Sequence, residues 1–267
     1  MTVGQPIGRG NTAEIYLWEE GVILKLFDPR IPHFLIEQEY LASKEAEILS
    51  LPVAKTYGTQ MIDGRQGILY EKIEGESFTN LLFGNASNVE KMAEEFASLH
   101  QTIHHVKTEN LPALKETLNR NIHLAKELSD EEKNKITEYL AQLPDGDQMC
   151  HMDFHPDNII YSSRGPILID WMTAVRGNPL ADVARTSLIF KYAVLLDAIP
   201  EAVREALMMI RNQFEKNYIR FYLQKLEAST SQVEQWYLPL MAARLCEGVP
   251  AEEKEILLRE IRSFLSA

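Results

Sequence analysis

His151, Asp153, Asn158 and Asp170 fall in two short segments, HMDFHPDN (151–158) and ILID (167–170), and their side chains suit the handling of phosphate and metal. Between Asn158 and Asp170 the chain reads NIIY, SSRGP, ILID. Two short apolar runs around a polar turn containing Gly predict a β-hairpin. Centred on Arg164, that hairpin sets Asn158 and Asp170 opposite one another, with β-carbons ~5 Å apart. An amide oxygen and a carboxylate converging there form a hard-oxygen pair suited to Mg²⁺, which takes one or two protein carboxylates and fills its shell with water and substrate phosphates. Asp153 precedes Asn158 by five residues, in the loop that enters the hairpin, where it can accept a hydroxyl proton.

The order His-x-Asp-x-x-x-x-Asn with a later Asp is that of the kinase phosphoryl-transfer template, in which the first Asp orients and deprotonates the attacking hydroxyl and the last holds the metal on the phosphates. HMDFHPDNII followed by LIDW resembles the aminoglycoside phosphotransferase family of small-molecule kinases, relatives of choline kinase with a protein-kinase-like fold. The resemblance extends over nearly the whole chain. It implies an α+β, bilobal fold: a small antiparallel β-sheet lobe with one helix, and a larger, mainly helical lobe carrying the catalytic hairpin. It implies ATP and Mg²⁺, with Asp153 as base, Asn158 and Asp170 as metal ligands, and His151 and Asp182 supporting the loop. Two positions depart from the usual pattern. Met152 stands where the family commonly has Gly, putting a bulky side chain near the catalytic turn, and Trp171 follows Asp170 where protein kinases carry Phe.

These groups must be positioned by the elements before them. IGRGNTAEIYLW (7–18) has the form strand, Gly-rich turn, strand, and EEG (19–21) turns it into VILKLF (22–27). Gly8 and Gly10 would let backbone N–H groups approach an anion closely. Lys25 lies inside the apolar strand, where a buried ammonium requires a carboxylate or phosphate partner. The next segment supplies one: over residues 34–49, Leu35, Glu39, Ala42, Ala46 and Leu49 recur at helical spacing as one inward seam. Glu39 lies on it and Glu37, Glu45 and Glu47 fall off it, so Glu39 is the predicted partner of Lys25. The stretch TQMIDGRQGILYEKIEG predicts two strands joined by DGRQG, ending at Glu74 and Gly75. The resemblance makes that end a hinge whose backbone at Glu71 and Ile73 would meet adenine.

From Ser77 onward the pattern turns helical, so the predicted lobes are residues 1–73, binding nucleotide, and 74–267, carrying catalysis and acceptor. VEKMAEEFASLHQTIHH (89–105) puts Val89, Ala93, Phe96, Leu99 and Ile103 on one face, with His100 at its border as a core histidine. Further helices are expected over 130–142, from Pro179, over about 198–227 and over 232–266. Trp236, Tyr237, Arg244 and Glu247 read better as packing aromatics and solvated charges than as cleft residues. The segment between Asp170 and the helix at Pro179 is shorter than a protein-kinase activation segment and lacks its A-P-E motif.

With 267 residues, 45% of them hydrophobic and 25% charged, the composition is that of a globular protein able to build a large core. No apolar run reaches the roughly 20 residues of a membrane helix, and MTVGQPIGRG has no signal-peptide pattern, so a cytoplasmic location is expected. A net charge of −12 disfavours nucleic acid and is compatible with a cationic small molecule bearing a hydroxyl. Cys150 and Cys246 form no metal-type spacing and are expected as reduced, buried thiols. One competing chemistry is a metal-dependent hydrolase in which His151, Asp153 and His155 alternate along an extended strand. Pro156 and the lack of a second His/Asp cluster in the sequence count against it. A kinase-like scaffold that binds nucleotide without turnover is the other alternative, disfavoured by the intact Asp153, Asn158 and Asp170.

Overall fold

The computed structural model describes residues 4–84, 88–194 and 201–266. By contact it divides into two compact units, Met1–Leu81 with His155–Ala174 and Leu82–Phe154 with Val175–Ala267. Each is discontinuous in sequence, where the sequence predicts one boundary between residues 73 and 74.

In the first unit, β1 (Gly8–Arg9), β2 (Ala13–Glu19), β3 (Val22–Phe27), β4 (Thr56–Ile62) and β5 (Arg65–Glu71) form an antiparallel sheet in the order β1-β2-β3-β5-β4. The β4–β5 turn is set by Asp63 and Gly64 at φ +49° and +80°, the paired positive values that a two-residue type I′ hairpin demands. The connector is therefore shorter than the predicted DGRQG, and Arg65 already pairs with Ile62. Strand alternation sends Leu24 and Leu26 to one face with Tyr16 and Ile62. Phe27 goes to the other with Ala13 and Ile68, where α1 (His33–Ile48) lays Ile36.

Helix α1 buries Ile36, Glu39, Ala42, Ser43, Glu45 and Ala46. The predicted seam holds at Glu39, Ala42 and Ala46, but it starts at Ile36 instead of Leu35, and Glu45, predicted to lie off it, is buried as well. A core-facing stripe is broader than a single i, i+4, i+7 column, which is why residues beside the column are covered too.

A second sheet of this unit has the order β6-β8-β9, from β6 (Gly75–Ser77), β8 (Ile159–Ser162) and β9 (Gly165–Leu168). Gly75 is required by close approach: a Cβ there would stand 2.2 Å from the Tyr161 carbonyl oxygen. The short helix α2 (Phe78–Gly84) follows β6 directly. The predicted hairpin exists, with a register shifted by one. Ile159 pairs with Leu168 and Ser162 with Gly165, so the centre lies between Ser163 and Arg164. Asn158 accordingly stands across from Ile169, whose N–H donates to its carbonyl at 3.1 Å. Asp170 falls one place beyond, and the direct Asn158–Asp170 pairing expected from the sequence is not formed. The cause is the turn, because Gly165 adopts φ +90° and already belongs to the second strand, leaving a two-residue loop.

The second unit is mainly helical. Its core is built where α3 (Val89–His104) packs on α7 (Glu201–Gln224). Val89, Ala93, Phe96, Leu99 and Ile103 are buried as their spacing predicts, and the Phe96 ring lies 4.4 Å from Phe154, 5.2 Å from Phe214 and 5.2 Å from Tyr218. The short strand β7 (Gln148–Cys150) pairs with β10 (Val175–Gly177). Helix α4 spans Leu114–Leu124, and α5 (Asp130–Gln142) begins at a Ser129–Glu132 capping box. In α6 (Pro179–Tyr192), Pro179 takes the first turn and the Asn178 side chain accepts the Leu180 N–H at 3.0 Å.

Of the helix predicted over about 198–227, residues 198–200 lie outside the described residues, and α7 accounts for most of the rest. The single helix predicted over 232–266 is instead three: α8 (Thr230–Glu234), α9 (Tyr237–Arg244) and α10 (Ala251–Ser266). Gly248 at φ +73° and the nearby Pro250 separate the last two. Cys150 is buried, whereas Cys246, expected to be buried, is only partly so, because it sits past the end of α9 near that break. No described helix is long and apolar enough to cross a membrane.

Candidate active site

In the first unit Lys25 sits on the central strand β3, between Ile15 of β2 and Ile68 of β5, and its side chain is 11% exposed. Its ammonium donates to Glu39 Oε1 at 2.7 Å and to Asp170 Oδ1 at 3.1 Å. Burial alone would lower the Lys25 pKa, but the Glu39 and Asp170 carboxylates outweigh it and hold it above its ordinary value. Burial raises the Glu39 carboxyl, opposed by Lys25 and reinforced by Asp170. The Tyr70 hydroxyl donates to the same Glu39 oxygen at 3.0 Å. Removing one member of a buried pair strands the other. Glu39→Gln is therefore expected to cost about 3 kcal/mol, at the low end for such pairs because Asp170 remains. Glu37→Gln, on the exposed side of the same helix, should stay within about 0.5 kcal/mol. Equal urea midpoints for the two variants would break the proposed link between helix register and ion pair.

Asp170 comes after β9 with φ +65°, a left-handed value that turns the chain out of the strand. Gln38, the neighbour of Glu39, steadies the backbone just past Asp170: its amide donates to the Met172 carbonyl at 3.0 Å. Helix α1 is thus tied to the segment around Asp170 twice, through Glu39 by way of Lys25 and through Gln38 at Met172. Nothing in the sequence marks Gln38, whose partner is a main-chain carbonyl 134 positions away. Asn158 lies in a 3-10 turn (Pro156–Asn158), and its amide nitrogen meets His155 Nε2 at 3.1 Å. That contact orients the amide and makes His155 a support for Asn158. The Glu71 N–H is bound by the Lys55 carbonyl at 2.8 Å, so at that residue only the carbonyl could serve a ligand.

In the second unit Asp153 lies beyond β7 in an irregular loop. Its backbone N–H donates to His151 Nδ1 at 3.3 Å. Met152 carries the left-handed φ of +61° that Gly would adopt without strain, and it is held on both sides. Its N–H donates to Asp182 Oδ1 at 2.8 Å, and its carbonyl accepts Arg185 Nε at 3.2 Å. The preceding N–H, of His151, donates to Asp182 Oδ2 at 2.6 Å. Arg185 is buried and pairs with Glu247 at 2.5 Å. Burial would lower its pKa, but Glu247 and then Asp153 raise it above the ordinary value. Glu247 in turn meets Arg244 at 3.1 Å, and Arg244 also bonds Glu253. Arg244 is half-buried and Glu247 exposed, both engaged in ion pairs, and Trp236 and Tyr237 are buried packing residues.

The geometry removes the premise of the hydrolase alternative. Residues 151–155 are not an extended strand, and the left-handed Met152 breaks the alternation that would align His151, Asp153 and His155. Among the described residues the group with metal-ligand proximity is a different one, His100, His104 and Asp182, whose ligand atoms lie within 4.8 Å of one another. The sequence shows no such cluster, because its members come from α3 and α6.

The arrangement has a protein-kinase-like fold. A thermostable mutant of aminoglycoside phosphotransferase APH(4)-Ia, in ternary complex with AMP-PNP and hygromycin B, matches 97% of this chain and 93% of its own with a TM-score of 0.68 and 11% identity. Amicoumacin kinase hAmiN in complex with AMP-PNP, Ca²⁺ and Ami matches 97% and 86%, with a TM-score of 0.60 and 16% identity. A choline/ethanolamine kinase family protein from Mesorhizobium loti matches 98% and 88%, with a TM-score of 0.60 and 12% identity. No curated protein matches the sequence. The model of the phosphotransferase enzyme family matches residues 3–208, and the chain belongs to that family.

Proposed function

We propose that this protein is an ATP- and Mg²⁺-dependent small-molecule kinase that transfers the γ-phosphoryl group to a hydroxyl. The observation that carries the reading is Lys25, buried and fixed between Glu39 and Asp170: a cation held in place beside a metal-type carboxylate is a phosphate-binding arrangement. The donor set fits Mg²⁺, since Asp170 and Asn158 offer hard oxygens and the Asp170 side chain is 36% exposed. When bound, the ion neutralises charge on the phosphates. Gly8 and Gly10 fit the same picture. A Cβ at either would meet only ordinary contacts at 3.7 or 3.8 Å, so the protein itself does not require glycine there, whereas a closely approaching phosphate does.

The residues then divide the work. Lys25 neutralises phosphate oxygens, the N–H groups around Gly8 and Gly10 cover them, and the backbone of Glu71 and Ile73 receives the adenine. Asp153 orients the acceptor hydroxyl and takes its proton as that oxygen attacks the γ-phosphorus and the bond to the β-phosphate oxygen breaks, releasing ADP. Catalysis is mostly positioning and electrostatics. One solved neighbour is in complex with AMP-PNP and hygromycin B, and the charge of −12 suits a hydroxylated amine such as an aminoglycoside.

A coupled ADP-release screen over hydroxylated amines, aminoglycosides, macrolides and sugars tests this. ADP release that requires Mg²⁺ and rises with one acceptor class is expected. Tightly bound zinc together with no ATP binding would overturn the kinase assignment.

A further inference from the structure

The second unit contains a buried polar network that the proposed chemistry does not use. His100 and His104 lie one turn apart on α3, and Tyr218 and Tyr222 lie one turn apart on α7, so the two pairs meet in register. The Tyr218 hydroxyl is 2.7 Å from His100 Nδ1, and the Tyr222 hydroxyl is 2.6 Å from His104 Nδ1. Burial raises both phenols above their ordinary pKa, so each keeps its proton and can donate it to the imidazole. That assigns the remaining ring hydrogen to Nε2. Both Nε2 atoms lie 3.1 Å from Asp182 Oδ2, but only His104 has the alignment of a hydrogen bond.

His100 is placed differently. Its ring stacks on Phe154, with centroids 3.9 Å apart and planes at 16°, and burial, then the neighbouring His104, push its pKa down to about 3. It is neutral at pH 7. Asp182 is ionised: burial opposes this, and the two histidines more than offset it. Its carboxylate receives consecutive backbone N–H groups, from His151 and Met152. Asp153 is thus flanked by Met152, held by Asp182, and by Phe154, stacked on His100.

We propose that His104, oriented by Tyr222, is a positioning residue for Asp153: it fixes the rotation of the Asp182 carboxylate, which holds the left-handed turn at Met152 and so aims the base. This rests on the kinase reading with Asp153 as base. The chain of donors runs one way, from Tyr222 to His104 to Asp182, and meets the two loop N–H groups at the carboxylate. Without the His104 donor, Asp182 can swing and the turn, unfavourable for a non-glycine residue, can relax to right-handed backbone. A bound metal would be a rival use of the same three groups. It would compete with two N–H donors already on Asp182 Oδ2, from His151 and His104.

The test compares His104→Met, which keeps bulk without the donor, with His104→Gln, which restores an N–H near the Nε2 position. In the full chain, His104→Met should lower kcat by about 10- to 100-fold, the scale of a misplaced reacting group, with the KM for ATP unchanged. His104→Gln should recover most of the loss, and Tyr222→Phe should give an intermediate kcat. Amide hydrogen exchange supplies a readout independent of turnover: the His151 and Met152 N–H groups should be strongly protected in the wild type and several-fold less so in Tyr222→Phe. The proposal is overturned by wild-type kcat in His104→Met, by no rescue with Gln, by fast exchange of the two amides in the wild type, or by a stoichiometric metal in the purified wild type that His104→Met no longer carries. Failure of the kinase reading looks different, since the wild type would then show no ATP-dependent transfer whatever the protection of those amides.

Discussion

Asp153→Ala is expected to bind Mg²⁺–ATP as the wild type does while phosphoryl transfer falls by roughly 100-fold or more, the usual scale for a lost general base. The separation of the two effects comes from where the groups lie. Lys25, Glu39, Asn158 and Asp170 belong to the first unit, and Asp153 to the second. The loop around Asp153 is tied by main-chain bonds, from its own N–H to His151 and from the Met152 carbonyl to Arg185, so truncating the side chain leaves those restraints in place. Calorimetric titration of nucleotide and single-turnover transfer, done side by side, would check both halves. Unchanged single-turnover rates would remove Asp153 from the mechanism.

A second large effect is expected at Asp170, in binding. Its loss should abolish the Mg²⁺-dependent part of ATP affinity, by at least the roughly 10- to 100-fold that even an outer-shell partner of a metal commands. Alanine is a poor probe by itself, because φ +65° at this position strains it. Asn tolerates left-handed backbone, keeps an oxygen and removes the charge. Asp170→Asn should therefore hold the fold yet lose the response of nucleotide binding to added Mg²⁺. Lys25 would retain Glu39, its shorter contact, so metal-free nucleotide binding should change little. If the Mg²⁺ response survived in Asp170→Asn, Asp170 would not be the ligand.

How much the sequence discloses depends on how local the determinant is. Glu39 is legible because a helix repeats every 3.6 residues and a lysine in an apolar strand needs a counter-charge. The Asp63–Gly64 turn carries its own chemistry, yet the DGRQG connector drawn around it is too long. The Ser162–Gly165 hairpin fails by one residue for a related reason: its register depends on which residue takes positive φ, and Gly165 itself, not Arg164 as centre, decides it. The break at Gly248 and Pro250 is written in GVP, although the amphipathic pattern on either side masks it.

Other contacts leave no periodic trace. Gln38 with Met172, His104 with Tyr222 and Arg185 with Glu247 join residues 134, 118 and 62 positions apart. A glutamine, a tyrosine or an arginine on a helix has many unremarkable uses. Only folding selects these, through burial that obliges each polar group to find a partner.

The discontinuity of the first unit bears on how the chain is made. Lys25 and Asp170 are 145 positions apart, and closing a loop of that length costs ~4 kcal/mol of chain entropy beyond a constant. On the ribosome, the first sheet emerges long before residues 155–174, so β6 must wait for its partner strand while much of the second unit is still being synthesised. Synthesis order therefore puts completion of the first unit after the arrival of Asp170, and until then the Lys25 ammonium of a nascent chain has Glu39 within reach but not its second carboxylate.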